Sequence, residues 1–424
     1  MTNLTRRGVV AAGLALGAGS GMAAATQPAA GGIALAADET YWAGIAAQYD
    51  LTSEVVQLEN GNWGVMARPV LAAYERHQAM VNRRNSYYSR REYGDDLARI
   101  RVRVAANLGV APEEIAFTRG ATEALQALIG GYNRLKPGDQ VLIADLDYDS
   151  MQSAMAWLKD RRGAELVRIG LPEPATRQGL IDAYAQALDA HPKVRLMLLT
   201  QVSHRNGLRL PVAEITALAR ARGVDVILDS AHAWGQVATK LPDLGADFVG
   251  LNGHKWIGAP IGVGVLYIAK ARIPDIDPFM GADDHSPGDV RLRVHTGTSN
   301  MAAYLAMADA LDFHEAIGTQ AKAARLTYLR RRWTEPLRDV PGVQLLTPQD
   351  DRLGSALAAF RLAGRTTPAE NVELARILLE RFGIFTVARH GLAGGSCVRA
   401  TVSLFTRPAE VDRLAQALRE LGAA

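Results

Sequence analysis

Short apolar runs alternate with longer segments of helical periodicity through the middle of the chain. The runs predict strands over Ile115 to Thr118, Gln140 to Ala144, Glu165 to Ile169, Val194 to Thr200, Val224 to Leu228, Asp247 to Leu251 and Ile261 to Ile268. Most segments between them place apolar residues three and four positions apart, which predicts helices. Buried strands separated by helices are typical of a mostly parallel sheet covered on both faces, so we predict an α/β fold.

The two ends of the chain have a different pattern. Before the alternating block, we predict helices over Asp38 to Asp50, Pro69 to Arg84 and Asp95 to Leu108, with a glycine- and asparagine-rich loop from Gln57 to Met66. After it, one long helical stretch over Asp312 to Trp333 leads into a strand, helix, strand and helix at Ser355 to Leu362, Asn371 to Arg381, Val398 to Ser403 and Pro408 to Leu421. This pattern predicts an N-terminal segment over 37–68, a large domain over 69–315 and a small α+β domain over 316–424.

The composition is that of an ordinary globular protein. Of the 424 residues, 48% are hydrophobic and 21% are charged, which excludes a disordered or fibrous chain. The formal net charge of +3 falls to about +1 without Arg6 and Arg7, so there is no cationic field for nucleic acid. Cys397 is the single cysteine, which excludes an internal disulfide and cysteine-based metal sites.

The first 36 residues have the features of an export signal. Arg6 and Arg7 precede a weakly hydrophobic run from Val9 to Ala25, and Ala34-Leu35-Ala36 is a suitable cleavage site. The paired arginines resemble a twin-arginine signal, so we expect the twin-arginine export machinery as a partner and a periplasmic or secreted location. The run is too weakly apolar for a stable membrane anchor, and a disordered basic N-terminus is the alternative.

Polar groups suited to one ligand follow three of the predicted strands, where open α/β sheets place their chemistry. Asp229 ends a strand, and a buried carboxylate there suits a protonated ring nitrogen, although a helix cap is the alternative. Lys255 lies in a turn between two apolar runs, and a lysine in a dry cleft can attack an aldehyde. Gly120, Ala121 and Thr122 open a helix, whose free N–H groups bind anions. Together these groups fit an aldehyde-bearing pyridine phosphate.

Four motifs carry a resemblance to a known family: RGATEA at 119–124, VSHRNG at 202–207, DSAHAWG at 229–235 and NGHKW at 252–256. They resemble the class V aminotransferase family of fold-type I pyridoxal-phosphate enzymes, which includes cysteine desulfurases, kynureninases and isopenicillin N epimerases. The similarity extends from about Gln57 to the C-terminus and is strongest to the epimerase-like branch. It implies a large domain built on a seven-stranded, mostly parallel sheet, with pyridoxal 5′-phosphate as the cofactor.

The resemblance implies roles for the residues around the cofactor. Lys255 matches the lysine that forms the Schiff base, Asp229 the partner of the pyridine nitrogen, and His232 the residue that bonds the ring hydroxyl. Tyr148 lies where the family stacks a ring on the pyridine. His204 replaces an asparagine that desulfurases have near the ring hydroxyl. The residues that match phosphate contacts are His254, Gly120, Ala121 and Thr122.

The resemblance also implies contacts to the substrate and to a second subunit. Arg399 matches the arginine that grips the substrate α-carboxylate, with a structural salt bridge as the alternative. Asn62 and His390 are further candidates for substrate binding. Thr298 lies in a segment that resembles the turn by which the neighbouring subunit reaches the cofactor phosphate, which implies a homodimer. The stretch Asn85 to Tyr93 is either a surface loop and helix start or part of a dimer interface or active site.

These matches imply chemistry at the Cα of an amino acid, through an external aldimine and a quinonoid, with Lys255 as the base. Desulfurases carry a nucleophilic cysteine on a loop that here contains none, and Cys397 is expected to be buried and inert, which disfavours that reaction. Transamination is the preferred prediction. Epimerisation is the alternative, and it needs a second acid such as Tyr148, His204 or His390.

If the enzyme is exported, its substrate is expected to be a molecule whose synthesis is completed outside the cytoplasm, such as the terminal amino-acid residue of a peptide natural product. Exported pyoverdine-tailoring enzymes are members of this branch, and the resemblance to them implies the same kind of substrate. Two other classes fit less well. A binding protein without catalysis would not need Lys255, Asp229 and His232 together. A metal-dependent hydrolase would have to use His204, His232 and His254, whose spacing is not that of metal ligands.

Overall fold

Three β-sheets and their flanking helices make up the computed structural model, which describes residues 32–282 and 286–423. The strands are β1 (Val56–Gln57), β2 (Ile115–Thr118), β3 (Gln140–Ala144), β4 (Glu165–Ile169), β5 (Val194–Thr200), β6 (Asp225–Asp229), β7 (Phe248–Asn252), β8 (Gly264–Ile268), β9 (Val343–Leu345), β10 (Leu357–Leu362), β11 (Ile384–Phe385), β12 (Val387–Arg389) and β13 (Cys397–Thr401). The helices are α1 (Gly32–Ala36), α2 (Glu39–Ala46), α3 (Arg68–Arg91), α4 (Tyr93–Leu108), α5 (Ala121–Gly131), α6 (Asp149–Arg162), α7 (Arg177–Ala190), α8 (Val212–Arg220), α9 (Met301–Ile317), α10 (Thr319–Thr334), α11 (Pro368–Phe382) and α12 (Pro408–Ala423).

The largest sheet has seven strands in the order β2-β8-β7-β6-β5-β3-β4. Only β8 runs antiparallel to its neighbours β2 and β7. Successive side chains of β5 enter opposite layers of the core: Leu196 and Leu198 pack with α5 and α6, whereas Met197 and Leu199 pack with α7 and α8. Burial of both faces explains the continuous apolar runs and confirms the predicted α/β fold with a mostly parallel seven-stranded sheet.

The C-terminal part forms an antiparallel sheet in the order β12-β13-β10-β9, with α11 and α12 packed beside it. The sequence predicted β10 and β13 but not the short strands β9 and β12. The predicted single helix over Asp312 to Trp333 is wrong, because the chain forms two helices, α9 and α10, that meet at Gly318. The φ of Gly318 is +86°, a left-handed backbone value that only glycine adopts without strain.

The N-terminal segment contacts both the C-terminal part and the large sheet. Strand β1 pairs in parallel with β11 of the C-terminal part, and the Gly64 N–H donates to the carbonyl of His254 (2.8 Å), which follows β7 of the large sheet. Of the predicted export signal, residues 1–31 lie outside the described residues. The predicted cleavage site lies in α1, where the carbonyl of Leu35 accepts from the Trp42 indole (2.7 Å) and that of Ala36 from Arg325 (3.0 Å). Among the described residues, no helix is both long and apolar enough to cross a membrane.

The stretch Asn85 to Tyr93 is largely helical, so its reading as a surface loop is wrong. Helix α3 continues through it to Arg91, and α4 begins at Tyr93. The two halves of α3 meet at a kink at Asn85, whose φ of +46° and ψ of −134° are not helical. Residues 85–93 contain no proline or glycine, which are common causes of a kink, so the sequence did not predict this one.

Candidate active site

One cavity of about 470 Å³ lies at the carboxyl ends of β5, β6 and β7 and at the beginning of α5. Eleven of the residues predicted from the sequence line it: Asn62, Gly120, Ala121, Thr122, Tyr148, His204, Asp229, His232, His254, Lys255 and Arg399. The carboxyl ends of parallel strands meet at one edge of a sheet, which is why residues from so many strands converge here.

Lys255 lies in the loop that follows β7, and its Nζ is 2.9 Å from Nε2 of His232. Burial lowers the pKa of Lys255 to about 8, and the nearby carboxylate of Asp229 acts in the opposite direction. Close packing fixes the loop. A Cβ on Gly64 would lie only 2.0 Å from the Lys255 carbonyl oxygen, so that position requires glycine. At neutral pH a larger fraction of Lys255 is therefore in the neutral, nucleophilic form than for a lysine in water.

Asp229 ends β6 and is buried. One of its oxygens accepts the Ala231 N–H (2.9 Å), and the other makes no hydrogen bond to a described residue. Burial raises the pKa of Asp229, against the effects of that hydrogen bond and of Lys255. Burial also holds the pKa of His232 well below its usual value, so its imidazole is neutral. A buried carboxylate with a free acceptor position is suited to a cationic ligand group such as a protonated ring nitrogen.

The first turn of α5 forms one wall of the cavity. The Ala121 N–H, a predicted phosphate donor, donates instead to Oδ1 of Asn252 in this structure (2.7 Å). A Cβ on Gly264 would lie 2.5 Å from the Gly120 Cα, so the backbone of β8 approaches the helix start as closely as glycine allows. His254 bonds the carbonyl of Val263 through Nδ1 (3.1 Å), and burial lowers its pKa to about 4. The helix N-terminus remains suited to an anion.

Tyr148 and His204 line the same cavity as Lys255. Their rings meet edge to face with centroids 5.1 Å apart. Burial lowers the pKa of His204 to about 4, although Asp149, 3.7 Å from its Nε2, acts in the opposite direction. Tyr148 is 38% exposed at the mouth of the cavity. An aromatic face and a neutral imidazole therefore border the space beside Asp229.

Arg399 lies deep in the cavity wall on β13. Its Nη2 lies 2.6 Å from both carboxylate oxygens of Glu59, and its Nη1 donates to the His204 carbonyl. Arg389, on β12, lies 3.6 Å from the same carboxylate. Two guanidinium groups thus share one glutamate.

Two predicted site residues, His390 and Thr298, do not line this cavity. Arg389, the last residue of β12, lines the cavity, whereas His390 follows the strand and its Nδ1 lies 3.1 Å from the Ser396 hydroxyl. Thr298 lies beside another cavity, with Asn85 and Ser86.

Sequence reasoning missed Glu59, Arg389 and Asn252. Asn252 directly precedes the NGHKW glycine and ends β7, so its position at a strand end was a usable signal. Glu59 lies in the predicted glycine- and asparagine-rich loop from Gln57 to Met66. Arg389 directly precedes His390, which was predicted to bind substrate, so the segment had been recognised although this residue had not. Cys397, by contrast, is buried, as predicted, and burial raises its pKa to about 12.

These residues fit pyridoxal phosphate. Lys255 suits the aldehyde, the free oxygen of Asp229 suits the pyridine nitrogen, and the start of α5 suits the phosphate. Among the described residues, no group of three histidine, cysteine or acidic side chains could hold a metal ion. Fold and site together define a fold-type I pyridoxal-phosphate-dependent enzyme.

Comparison with known proteins identifies the family. The model of the aminotransferase class-V family matches residues 66–414. The chain is 31% identical to an isopenicillin N epimerase of Streptomyces clavuligerus, over 88% of this chain and 96% of that protein. It is 30% identical to the isopenicillin N epimerase of Amycolatopsis lactamdurans, over 90% and 99%. A cysteine desulfurase from Thermococcus onnurineus has the same fold, with a TM-score of 0.77 over 90% of this chain and 98% of that one, at 22% identity. The chain belongs to the class V aminotransferase family of pyridoxal-phosphate-dependent enzymes.

Proposed function

We propose that this enzyme inverts the configuration at the Cα of an amino acid, free or at the end of a peptide natural product. Inversion requires one group that removes the Cα proton and a second that supplies a proton from the opposite side. The observation that carries the proposal is that groups able to transfer protons flank Asp229 on both sides.

The order of the strands sets this arrangement. In the sheet β7, β6, β5 and β3 are neighbours in that order. Lys255 follows β7, Asp229 ends β6, His204 follows β5 and Tyr148 follows β3. Along the edge of the sheet, Lys255 therefore lies on one side of Asp229, and His204 and Tyr148 lie on the other.

Each residue then has a defined task. Bound pyridoxal phosphate supplies an electron-accepting ring that takes up the electron pair left when the Cα–H bond breaks. Lys255, whose pKa is about 8, accepts that proton at Nζ, and His232 holds Nζ in place at 2.9 Å. Tyr148 donates its hydroxyl proton to Cα from the opposite side, and water restores the proton because the residue is partly exposed.

Transamination, the preferred prediction from the sequence, is the second candidate. It requires proton transfer by Lys255 alone, with Tyr148 only stacking on the ring. The Tyr148 hydroxyl makes no hydrogen bond to a described residue, so nothing in the site commits it to acid catalysis. The names of the two relatives at about 30% identity, both isopenicillin N epimerases, support inversion.

The test follows the Cα proton in deuterated water. Purified enzyme with its cofactor is incubated with single enantiomers of amino acids and with peptides that end in a free amino-acid residue. We expect deuterium at Cα together with the inverted enantiomer, measured by mass spectrometry and chiral chromatography. A keto product with the amino group left on the cofactor would instead establish transamination.

Tyr148→Phe separates the two roles of the site. Without the hydroxyl, inversion should fall by about 10²- to 10⁴-fold while exchange with retention continues through Lys255. Tyr328→Phe is the matched control, because its hydroxyl accepts from Arg332 (3.0 Å) on another surface. Equal inversion by the Tyr148 and Tyr328 variants would rule out the phenol as the second acid.

We also propose export by the twin-arginine pathway and a homodimer. Arg6 and Arg7 support export. The dimer is supported by Thr298, which lies outside the cavity of Lys255 but beside Asn85 and Ser86 at a separate cavity of about 990 Å³. In the proposed dimer, the cofactor site of the partner subunit would lie against the surface around Thr298. Fractionation of cells and light scattering of the purified enzyme test the two proposals.

A further inference from the structure

Helix α1 contains the cleavage site that the sequence predicted, and the carbonyl groups at its C-terminal end are both bonded. The carbonyl of Leu35 accepts from the Asp38 N–H (3.1 Å) and from the Trp42 indole (2.7 Å). The carbonyl of Ala36 accepts from Nη1 of Arg325 (3.0 Å). Leu35 and Ala36 are only 5% and 4% exposed. The peptide bond after Ala36 is therefore part of the folded protein.

Arg325, on α10, holds α1 and α2 against the rest of the molecule. Its side chain is 2% exposed, and its Nη1 and Nη2 donate to the two carboxylate oxygens of Glu39 (2.6 and 2.9 Å). Its guanidinium also lies 5.5 Å from the centroid of the Trp42 ring and 5.2 Å from that of Tyr328. Loss of α1 would remove one acceptor from Arg325 and one from the Trp42 indole, and would uncover the side of α10 against which α1 packs.

A folded site of this kind resists a peptidase. A protease binds the residues around the cut in an extended conformation, so α1 would have to unfold locally first. Twin-arginine export carries proteins that have already folded, so α1 would be formed before the peptidase acts. The sequence offers a second triplet of the small-residue type, Ala23-Ala24-Ala25, which directly ends the apolar run that begins at Val9.

We propose that the precursor is cut after Ala25 and not after Ala36, so that α1 stays in the exported enzyme and anchors its N-terminal segment to α10. The signal peptidase adds water to the peptide bond between Ala25 and Thr26, which leaves a carboxylate on Ala25 and an amino group on Thr26. The proposal rests on the proposed twin-arginine export, because a route for unfolded chains would present Ala36 to the peptidase before α1 forms.

The first test determines the N-terminus of the exported protein by intact mass after cell fractionation. The wild-type protein should begin at Thr26. Ala25→Leu removes the small residue before the proposed cut and should prevent it. Ala34→Leu is the matched control, because it makes the same change in the other triplet at an exposed position, and this variant should still begin at Thr26. A wild-type protein that begins at Ala37, or processing that Ala34→Leu prevents and Ala25→Leu does not, overturns the proposal.

A second test does not depend on export. The purified full chain with its cofactor is treated with elastase, which cuts after small residues, and a synthetic peptide of residues 30–46 is treated in parallel. Cleavage after Ala36 should be at least about 10²-fold slower in the folded chain, because the site must first unfold. Equal rates would overturn the proposal. If the export proposal itself fails, uncut precursor is found only in the cytoplasm, and the elastase rates still decide whether α1 is protected.

Discussion

Two lysines are buried against the same loop, and only one of them faces the cavity. Lys255 has its Nζ 2.9 Å from His232. The Nζ of Lys322, on α10, donates to the carbonyl of Trp256 (2.7 Å) and lies 2.8 Å from Nδ1 of His314. Burial lowers the pKa of Lys255 to about 8 and that of Lys322 to about 7.

The comparison shows that a low pKa alone does not identify a catalytic lysine. Lys255 borders a cavity and has Asp229 nearby, so a ligand can reach its amine. The Lys322 amine is enclosed by a carbonyl and an imidazole, and no carboxylate among the described residues pairs with it. Lys322 therefore supports the residue after Lys255, whereas Lys255 can react. Perturbed pKa values indicate function only where a ligand has access.

The largest effect on activity is expected from replacement of Lys255. Lys255→Met should abolish covalent attachment of the cofactor and lower turnover by about 10²- to 10⁴-fold or more, because the base at Cα is lost. Lys322→Met should keep the attachment. Borohydride reduction followed by peptide mass analysis measures the attachment in both variants. Loss of attachment in Lys322→Met but not in Lys255→Met would reverse the two roles.

Asp229→Asn should have the next largest effect. Removing the carboxylate should lower turnover by about 10²- to 10³-fold, as for other groups that stabilise developing charge. It should also lower the pKa of Lys255 below about 8, since Asp229 raises it. To measure the pKa of Lys255, the enzyme without cofactor is mixed with pyridoxal phosphate at a series of pH values. The midpoint of the pH dependence of binding reports that pKa. A midpoint that rises in the variant would contradict the assigned electrostatics.

Lys322→Met should change the pH dependence of stability. In the unfolded chain the Lys322 pKa is 10.5, against about 7 in the folded protein. The burial penalty is therefore complete below pH 7 and is relieved as the pH rises towards 10.5. The unfolding free energy of the wild type relative to Lys322→Met should rise by up to about 1.4 kcal/mol per pH unit between these values. Urea titrations at pH 6.5, 8 and 9.5 measure it, and a constant difference would contradict the prediction.

The smallest effect is expected for Cys397. Its thiol is buried, as the amine of Lys322 is, and it borders no described cavity. We therefore expect Cys397, like Lys322, to contribute to stability and not to catalysis. Cys397→Ala should lower stability by about 1 kcal/mol and leave turnover within about twofold. Assays of sulfide release with cysteine and of thermal unfolding check this. Sulfide release that the variant abolishes would return desulfuration to consideration.

Local patterns predicted much of the fold and the site. The limits of β2, β3, β4 and β5 agree with the prediction because each is a short apolar run between clear helices. Lys255, Asp229 and the start of α5 were found because each follows a strand end within a short motif. The kink at Asn85 and the break at Gly318 were missed, because their backbone angles depend on packing rather than on periodicity.

The sequence by itself determined the alternating α/β order, the residues at the strand ends and the lysine suited to the cofactor. Only the tertiary structure decided which groups neutralise one another. Arg399 and Glu59 are 340 residues apart, and Lys322 and Trp256 are 66 apart. Periodicity records which face of an element is buried. The charge left free in a cavity depends on distances of a few ångströms between distant segments, because desolvation and Coulomb energies change steeply over that range.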